Sequence, residues 1–267
     1  MIFLFILLLA VFQVTVSDYL INNPDYYQLD AYTWETEEFR EVKLGEKIAE
    51  RPSVDYDMLT TLMVENHYNL LDIEDVSYDN SGLVKKKPAE YRKLKNAYEK
   101  LFSDLQYFPI PLSENEGIPD VVFEDGWGDE RTYGGERKHE GCDIMGTERE
   151  RGFYPVVSMG DGVVERVGWL EKGGWRIGIR MVSGAYIYYA HLYGYSRQWK
   201  EGDRVKAGEL LGFMGDTGYS TVEGTTGNFP VHLHLGIYLK TDHYEEMSVN
   251  PYWILEYIKK KRIKAMY

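Results

Sequence analysis

Val231-His232-Leu233-His234-Leu235-Gly236-Ile237-Tyr238-Leu239 is an apolar, strand-like run that carries two imidazoles. Side chains at i and i+2 of a strand leave the same face. His232 and His234 therefore point one way, while Leu233 and Leu235 pack on the other side. Working outward, short alternating runs recur at 163–167, 175–182, 185–191 and 210–214, with glycines such as Gly168, Gly184 and Gly202 marking the turns between them. Strands at this spacing with no intervening helices predict a mainly β fold, an antiparallel β sandwich or open barrel.

Upstream of Tyr107-Phe108-Pro109-Ile110-Pro111 the pattern is helical. Met58, Leu59, Leu62, Met63 and Leu70 recur at helical spacing behind start signals at 53–55, and Pro88 opens a second helix. Tyr91, Leu94, Tyr98, Leu101, Phe102 and Leu105 form one apolar stripe of that second helix. Residues 18–39 hold Asp18, Asp25, Asp30, Glu35, Glu37 and Glu38 with no basic residue before Arg40, the pattern of a solvated segment. At the other end Asn250-Pro251 predicts an N-cap and first helical residue, with Trp253, Ile254, Tyr257 and Ile258 on one face. The basic residues from Lys259 to Lys264 then sit at a helix C-terminus, where positive charge is favourable.

The first 16 residues place an uninterrupted apolar run as far as Phe12 at the N-terminus. That is short of the ~20 residues that span a bilayer and suits a signal-peptide core, with a cut before Asp18. The positively charged leader of a signal peptide is missing, so an uncleaved membrane tether through residues 1–16 stands as the alternative. Either reading puts the remainder outside the cytoplasm, extracellular or at the cell surface. The expected organisation is residues 1–17 as signal or anchor, 18–106 as a helical N-terminal region, and 107–267 as a β-rich domain with a C-terminal helix. A net charge of -13 argues against nucleic acid as partner. The single cysteine, Cys142, excludes an intramolecular disulfide and is read as a small core residue.

Of six histidines, four lie in the β region: His139, His191, His232 and His234. His139 and Asp143 are four apart beside Gly135 and Gly141, so they straddle a loop leading into a strand at 142–145. His191 shares the parity of Ile187 and Tyr189 and is expected where a strand ends. His67 and His243 have no ligand-type neighbour at useful spacing and read as ordinary. Imidazole and carboxylate are the right donors for a borderline divalent metal, and two His with one Asp leave a position open for water. The same set serves non-haem iron(II) oxygenases, and ligand identity alone does not separate the metals. Spare histidines beside the metal favour hydrolysis, because imidazole moves protons near neutral pH.

The order His-x-x-x-Asp at 139–143, Tyr189-Ala190-His191-Leu192, then His232-Leu233-His234 resembles the lysostaphin-type (LytM-like) zinc metalloendopeptidases that act on peptidoglycan. The resemblance runs from about residue 134 to 252 and includes Asp161-Gly162-Val163-Val164, the 202–208 turn, 215–220 and Asn250-Pro251. It implies one Zn2+ per chain held by His139, Asp143 and His234, with His191 and His232 as the catalytic pair. It further implies hydrolysis of peptide bonds in peptidoglycan cross-bridges or stem peptides. His232 is the favoured base, since it shares a strand face with His234.

Two features depart from that pattern. The segment 221–231 is longer than the usual Gly-rich link, and should reshape one wall of the cleft. The helical region resembles no wall-binding module. Trp169, Trp175 and Tyr219 are candidates to line the cleft or, equally, to pack the sheet. The competing reading is a non-catalytic or latent cell-wall-binding or regulatory domain of the same fold, with Glu37 or Glu38 reaching the metal site.

Overall fold

The computed structural model describes residues 2–22, 29–133, 135–147 and 150–267; Asp25 of the acidic segment lies outside the described residues. Helix α1 (Ile2–Asn22) has no buried residue and runs 21 residues, well past Phe12. By length and composition it is long and apolar enough to cross a membrane, which the apolar run alone is not.

The helical region contains α2 (Glu37–Glu41), α3 (Glu46–Ala49), α4 (Tyr56–Glu65), α5 (Ser81–Lys86) and α6 (Pro88–Phe102). The Asp55 carboxylate caps α4 by accepting the N–H groups of Asp57 and Met58. Leu70 lies beyond that helix and is buried for another reason: its N–H donates to the Lys43 carbonyl at 2.8 Å, tying two loops together. His67 likewise falls after α4, in a turn with φ +54°. Helix α6 buries the expected stripe, with Leu105 following it into the core.

The β elements are β1 (Leu112–Ser113), β2 (Val122–Phe123), β3 (Glu130–Arg131), β4 (Arg137–Lys138), β5 (Cys142–Met145), β6 (Pro155–Val157) and β7 (Gly162–Leu170). They continue with β8 (Gly174–Met181), β9 (Tyr186–Tyr195), β10 (Arg204–Val205), β11 (Leu210–Met214), β12 (His232–Leu239), β13 (Met247–Val249) and β14 (Lys264–Ala265). Ten of these strands form one sheet, in the order β10-β7-β8-β9-β12-β5-β2, with β11 joining β6 to β9 and β13 beside β12. Every pairing within it is antiparallel. The architecture is the mainly β one expected from the glycine-punctuated runs.

One apolar core runs through both regions, from Phe39 and Leu62 in the helices to Ile187 and Leu235 in the sheet. Arg40 locks the two together, donating from Nε to the Ser248 carbonyl at 2.8 Å and stacking its guanidinium over Trp127 at 5.3 Å. Helix α7 (Tyr252–Ile258) follows the Asn250-Pro251 signal: Pro251 already has helical dihedrals, and the Asn250 carboxamide oxygen accepts the Tyr252 N–H at 2.9 Å as an N-cap does. The basic residues after it are largely paired, Lys260 with Glu50 at 3.0 Å and Arg262 with Asp120 at 2.6 Å. Cys142 is buried, its thiol 3.4 Å from the Glu124 carbonyl, as expected of a core residue.

Candidate active site

The site stands on one face of the sheet, where β5, β12 and β9 run side by side. Register pairs Asp143 with His234, and His234 with Ala190, while His139 reaches in from the turn between β4 and β5. His139 Nε2, Asp143 Oδ1 and His234 Nδ1 form a triangle with edges of 3.1, 2.9 and 3.0 Å. The edge of a tetrahedron around an ion bonded at 2.0–2.1 Å is ~3.3 Å, so a zinc-sized cation fits after a slight opening. His139 Nδ1 donates to the Gly126 carbonyl at 2.8 Å, which leaves Nε2 as a lone pair facing the other two atoms. Electron-rich atoms converging in this way are the donor set of a divalent metal.

Electrostatics at the triangle oppose burial. Desolvation pushes the Asp143 carboxyl up, but the imidazoles of His139 and His234 set against its oxygen outweigh that push and hold it well below the usual carboxylate range. Arg131 approaches the other carboxylate oxygen at 3.5 Å. Burial pushes His234 down from the usual imidazole range, and the bond to Asp143 only partly offsets this.

His191 reaches the site by a backbone device rather than by parity. Strand β9 pairs with β12 as far as Ala190 and with β11 from Leu192 onward, so His191 sits at the change of partner with φ +59°. A left-handed conformation is uncommon for a residue with a Cβ. Here it turns the imidazole out of the buried row of Ile187 and Tyr189 and into the cleft with Tyr186 and Tyr188. The strand continues to Tyr195, so the expected strand end at His191 is instead a break in pairing. His191 Nδ1 donates to the Thr217 carbonyl at 2.8 Å, and His232 Nδ1 to the Pro230 carbonyl at 2.7 Å. Both rings thus keep Nε2 free of the main chain, that of His232 lying 3.6 Å from Asp143 Oδ1. The two ring centroids are 4.8 Å apart.

All five residues singled out from the sequence line one open cleft of about 860 Å³. Tyr219 lines it too, whereas Trp169 and Trp175 pack edge-to-face against each other in the sheet, centroids 5.6 Å apart. The 221–231 segment does build a wall: Phe229 packs on His191 at 4.5 Å and on Tyr219 at 4.8 Å. Buried Asp216 holds that wall, accepting the Gly227 N–H at 2.9 Å and a two-pronged bond from Arg151. Tyr133 stacks parallel to Tyr219 at 4.2 Å, and Arg137 donates to the Tyr219 hydroxyl at 3.1 Å. Of these, Tyr219 and the unusual length of 221–231 were already marked in the sequence.

Among the described residues, nothing before Arg131 lines the cleft, and Glu37 pairs with Lys138 at 3.3 Å rather than with the histidines. His243, read as ordinary, pairs with Glu35 at 2.7 Å and does not line the cleft.

The model of peptidase family M23 matches residues 137–251. Over 179 residues the chain is 41% identical to the L-Ala–D-Glu endopeptidase of Bacillus subtilis (strain 168), an alignment covering 65% of this chain and 52% of the relative. The chain thus spans about half the length of that relative. It is also 41% identical over 131 residues to lysostaphin of Staphylococcus staphylolyticus, covering 47% of this chain and 21% of that one. A crystal structure from Ruminococcus gnavus, provisionally named a glycyl-glycine endopeptidase lytM, matches with a TM-score of 0.80 at 41% identity. That match covers 91% of this chain and 98% of the other. By its site motifs, its sheet and this near-complete likeness, the chain belongs to peptidase family M23.

Proposed function

We propose that the protein is an exported zinc metalloendopeptidase that hydrolyses amide bonds of peptidoglycan cross-bridges or stem peptides. The observation that carries this reading is the His139–Asp143–His234 triangle with His191 and His232 beside it in one cleft. His139, Asp143 and His234 would hold one Zn2+ per chain, which when bound supplies Lewis-acid polarisation of the scissile carbonyl and of water. His232 Nε2 takes a proton from the attacking water as its oxygen adds to the carbonyl carbon. The same imidazole returns the proton to the amide nitrogen as the C–N bond breaks, leaving a carboxylic acid and an amine, between which a proton passes to give carboxylate and ammonium. His191 Nε2 accepts the other hydrogen of that water and orients it. The Pro230 and Thr217 carbonyls fix the tautomers that these roles require.

Relatives named for L-Ala–D-Glu and glycyl-glycine bonds support a peptidoglycan peptide as substrate. Helix α1, as a signal segment or membrane tether, supports action at the cell surface. The test is digestion of peptidoglycan by the full chain, purified in mild detergent and loaded with Zn2+, with and without a chelator. Expected are chelator-sensitive fragments bearing new amino termini by mass spectrometry, and none from His234→Ala. Intact peptidoglycan despite bound zinc would replace this reading with a non-catalytic wall-binding domain. Failure to bind zinc at all would remove the metal site.

A further inference from the structure

The chain carries 43 acidic against 30 basic residues, yet its cleft reverses that balance. Six cations line it, against the carboxylates Glu140, Asp143 and Glu246. Most of the cations are engaged. Arg131 faces Asp143 and Asp129 at 3.5 and 3.7 Å, Lys138 faces Glu37 at 3.3 Å, and Arg166 faces Glu201 at 3.4 Å. Arg137 bonds the Tyr219 hydroxyl, and Lys172 is exposed to solvent.

Arg176 differs from all of these. It is half-buried in the lining of the cleft, and its Nη1 is fully buried with no hydrogen-bond partner among the described residues. Its charge acts on the hydroxyls of Tyr186, Tyr188 and Tyr195, offsetting part of the upward push that burial gives each of them. A guanidinium beside tyrosine hydroxyls, partly desolvated and with one nitrogen left without a partner among the described residues, is costly unless an anion completes it. The planar fork of arginine matches a carboxylate better than any other anion a peptide carries.

Its place in the sheet sets the distance to the site. His234 pairs with Ala190, and Arg176 falls between Trp175, opposite Leu192, and Ile177, opposite Tyr189. Arg176 therefore stands in line with His234, two strands away, or ~10 Å at the usual strand spacing. An extended peptide rises ~3.3 Å per residue, and the arginine side chain closes part of the gap.

We propose that Arg176 is the carboxylate-binding residue of the cleft, selecting peptides with a free carboxylate within about two residues of the scissile amide over uncharged ones. The proposal rests on the peptidase reading for its substrate: it favours an acidic stem peptide over an uncharged glycyl bridge.

The test separates the two. Metal-free full chain, in which no zinc can capture a carboxylate, is titrated with acetyl-Ala-Glu-Ala amide and with its acetyl-Ala-Gln-Ala counterpart. Binding is followed by isothermal titration calorimetry. Expected is about tenfold tighter binding of the glutamyl peptide, the effect of one charge-assisted pair. Arg176→Gln should bind the two peptides equally, while Arg176→Lys, keeping the charge and stem, should retain a severalfold preference. Equal binding by the native chain, an undiminished preference in Arg176→Gln, or a lysine variant indistinguishable from the glutamine one would each overturn the assignment. With Zn2+ present, Arg176→Gln should raise KM for an acidic stem peptide with little change in kcat. Hydrolysis of no substrate, with the acidic preference intact, would sink the peptidase reading and leave the carboxylate site standing.

Discussion

The imidazole of His234 lies against the Cα of Gly141, so that a methyl group on Gly141 would meet its Cε1 at 2.5 Å and the Leu235 carbonyl at 2.7 Å. The backbone oxygen cannot yield, so the ring and its strand must. Gly141→Ala is expected to move His234 Nδ1 off the triangle and weaken zinc binding by about 10- to 100-fold, as when a ligand loses its support. Competition against a chromophoric chelator measures this. Circular dichroism should show the sheet intact.

Gly174 tests the other side of the site. Its φ is +62°, and a Cβ there would strike the Thr217 carbonyl oxygen at 2.2 Å, the atom that holds His191 Nδ1. Gly174→Ala should therefore leave zinc affinity unchanged while hydrolysis falls by about 100-fold, the effect of a catalytic group misplaced by roughly 1 Å. A parallel loss of zinc binding would show that the disturbance is not confined to His191.

The hydroxyl of fully buried Tyr189 accepts the Met159 N–H at 2.9 Å. Tyr189→Phe leaves that donor buried and unpaired, which costs about 1–3 kcal/mol. Urea denaturation should show a lower midpoint with an unchanged slope.

Glu165 and Arg180 form a two-pronged pair on the sheet, 2.6 and 2.8 Å. The hydrogen bond from Arg180 outweighs burial and holds the Glu165 carboxyl below its ordinary value, with Arg166 and Lys240 helping. A carboxyl depressed in the folded state adds stability above its unfolded pKa, ~4.3, and loses it as pH falls through the folded value. Glu165→Gln should therefore be less stable than the native chain at pH 7, by about 1 kcal/mol or less for a pair this exposed. The two should converge only once the pH has fallen below the depressed folded value. A deficit that persists there, by denaturant titration at both pH values, would assign it to packing instead.

Much of this molecule was written in local pattern. Alternation in 231–239 and its sister runs determined strands, because side-chain period is a property of the extended chain itself. The glycine turns, the Asp55 cap and the Pro88 start are likewise decided by a few neighbouring residues. The spacing of His139 with Asp143, and of His232 with His234, marked candidates for metal chemistry, while the resemblance to the peptidase family named His139, Asp143 and His234 as the ligands.

Other features required the chain to fold on itself. His191 shares the parity of the buried Ile187 and Tyr189 and was expected to emerge at a strand end, whereas it is the exchange of partners along β9 that turns it to the cleft. Trp169 and Tyr219 looked equivalent in sequence, yet one packs the sheet and the other meets Phe229 and Tyr133 from distant segments. The buried Nη1 of Arg176, without a hydrogen-bond partner among the described residues, has no sequence signature, because its surroundings depend on every strand around it. Sequence by itself determined which residues could do chemistry and on what elements they lie. Tertiary structure decided which of them converge, since backbone register and desolvation are set by contacts between residues far apart in the chain.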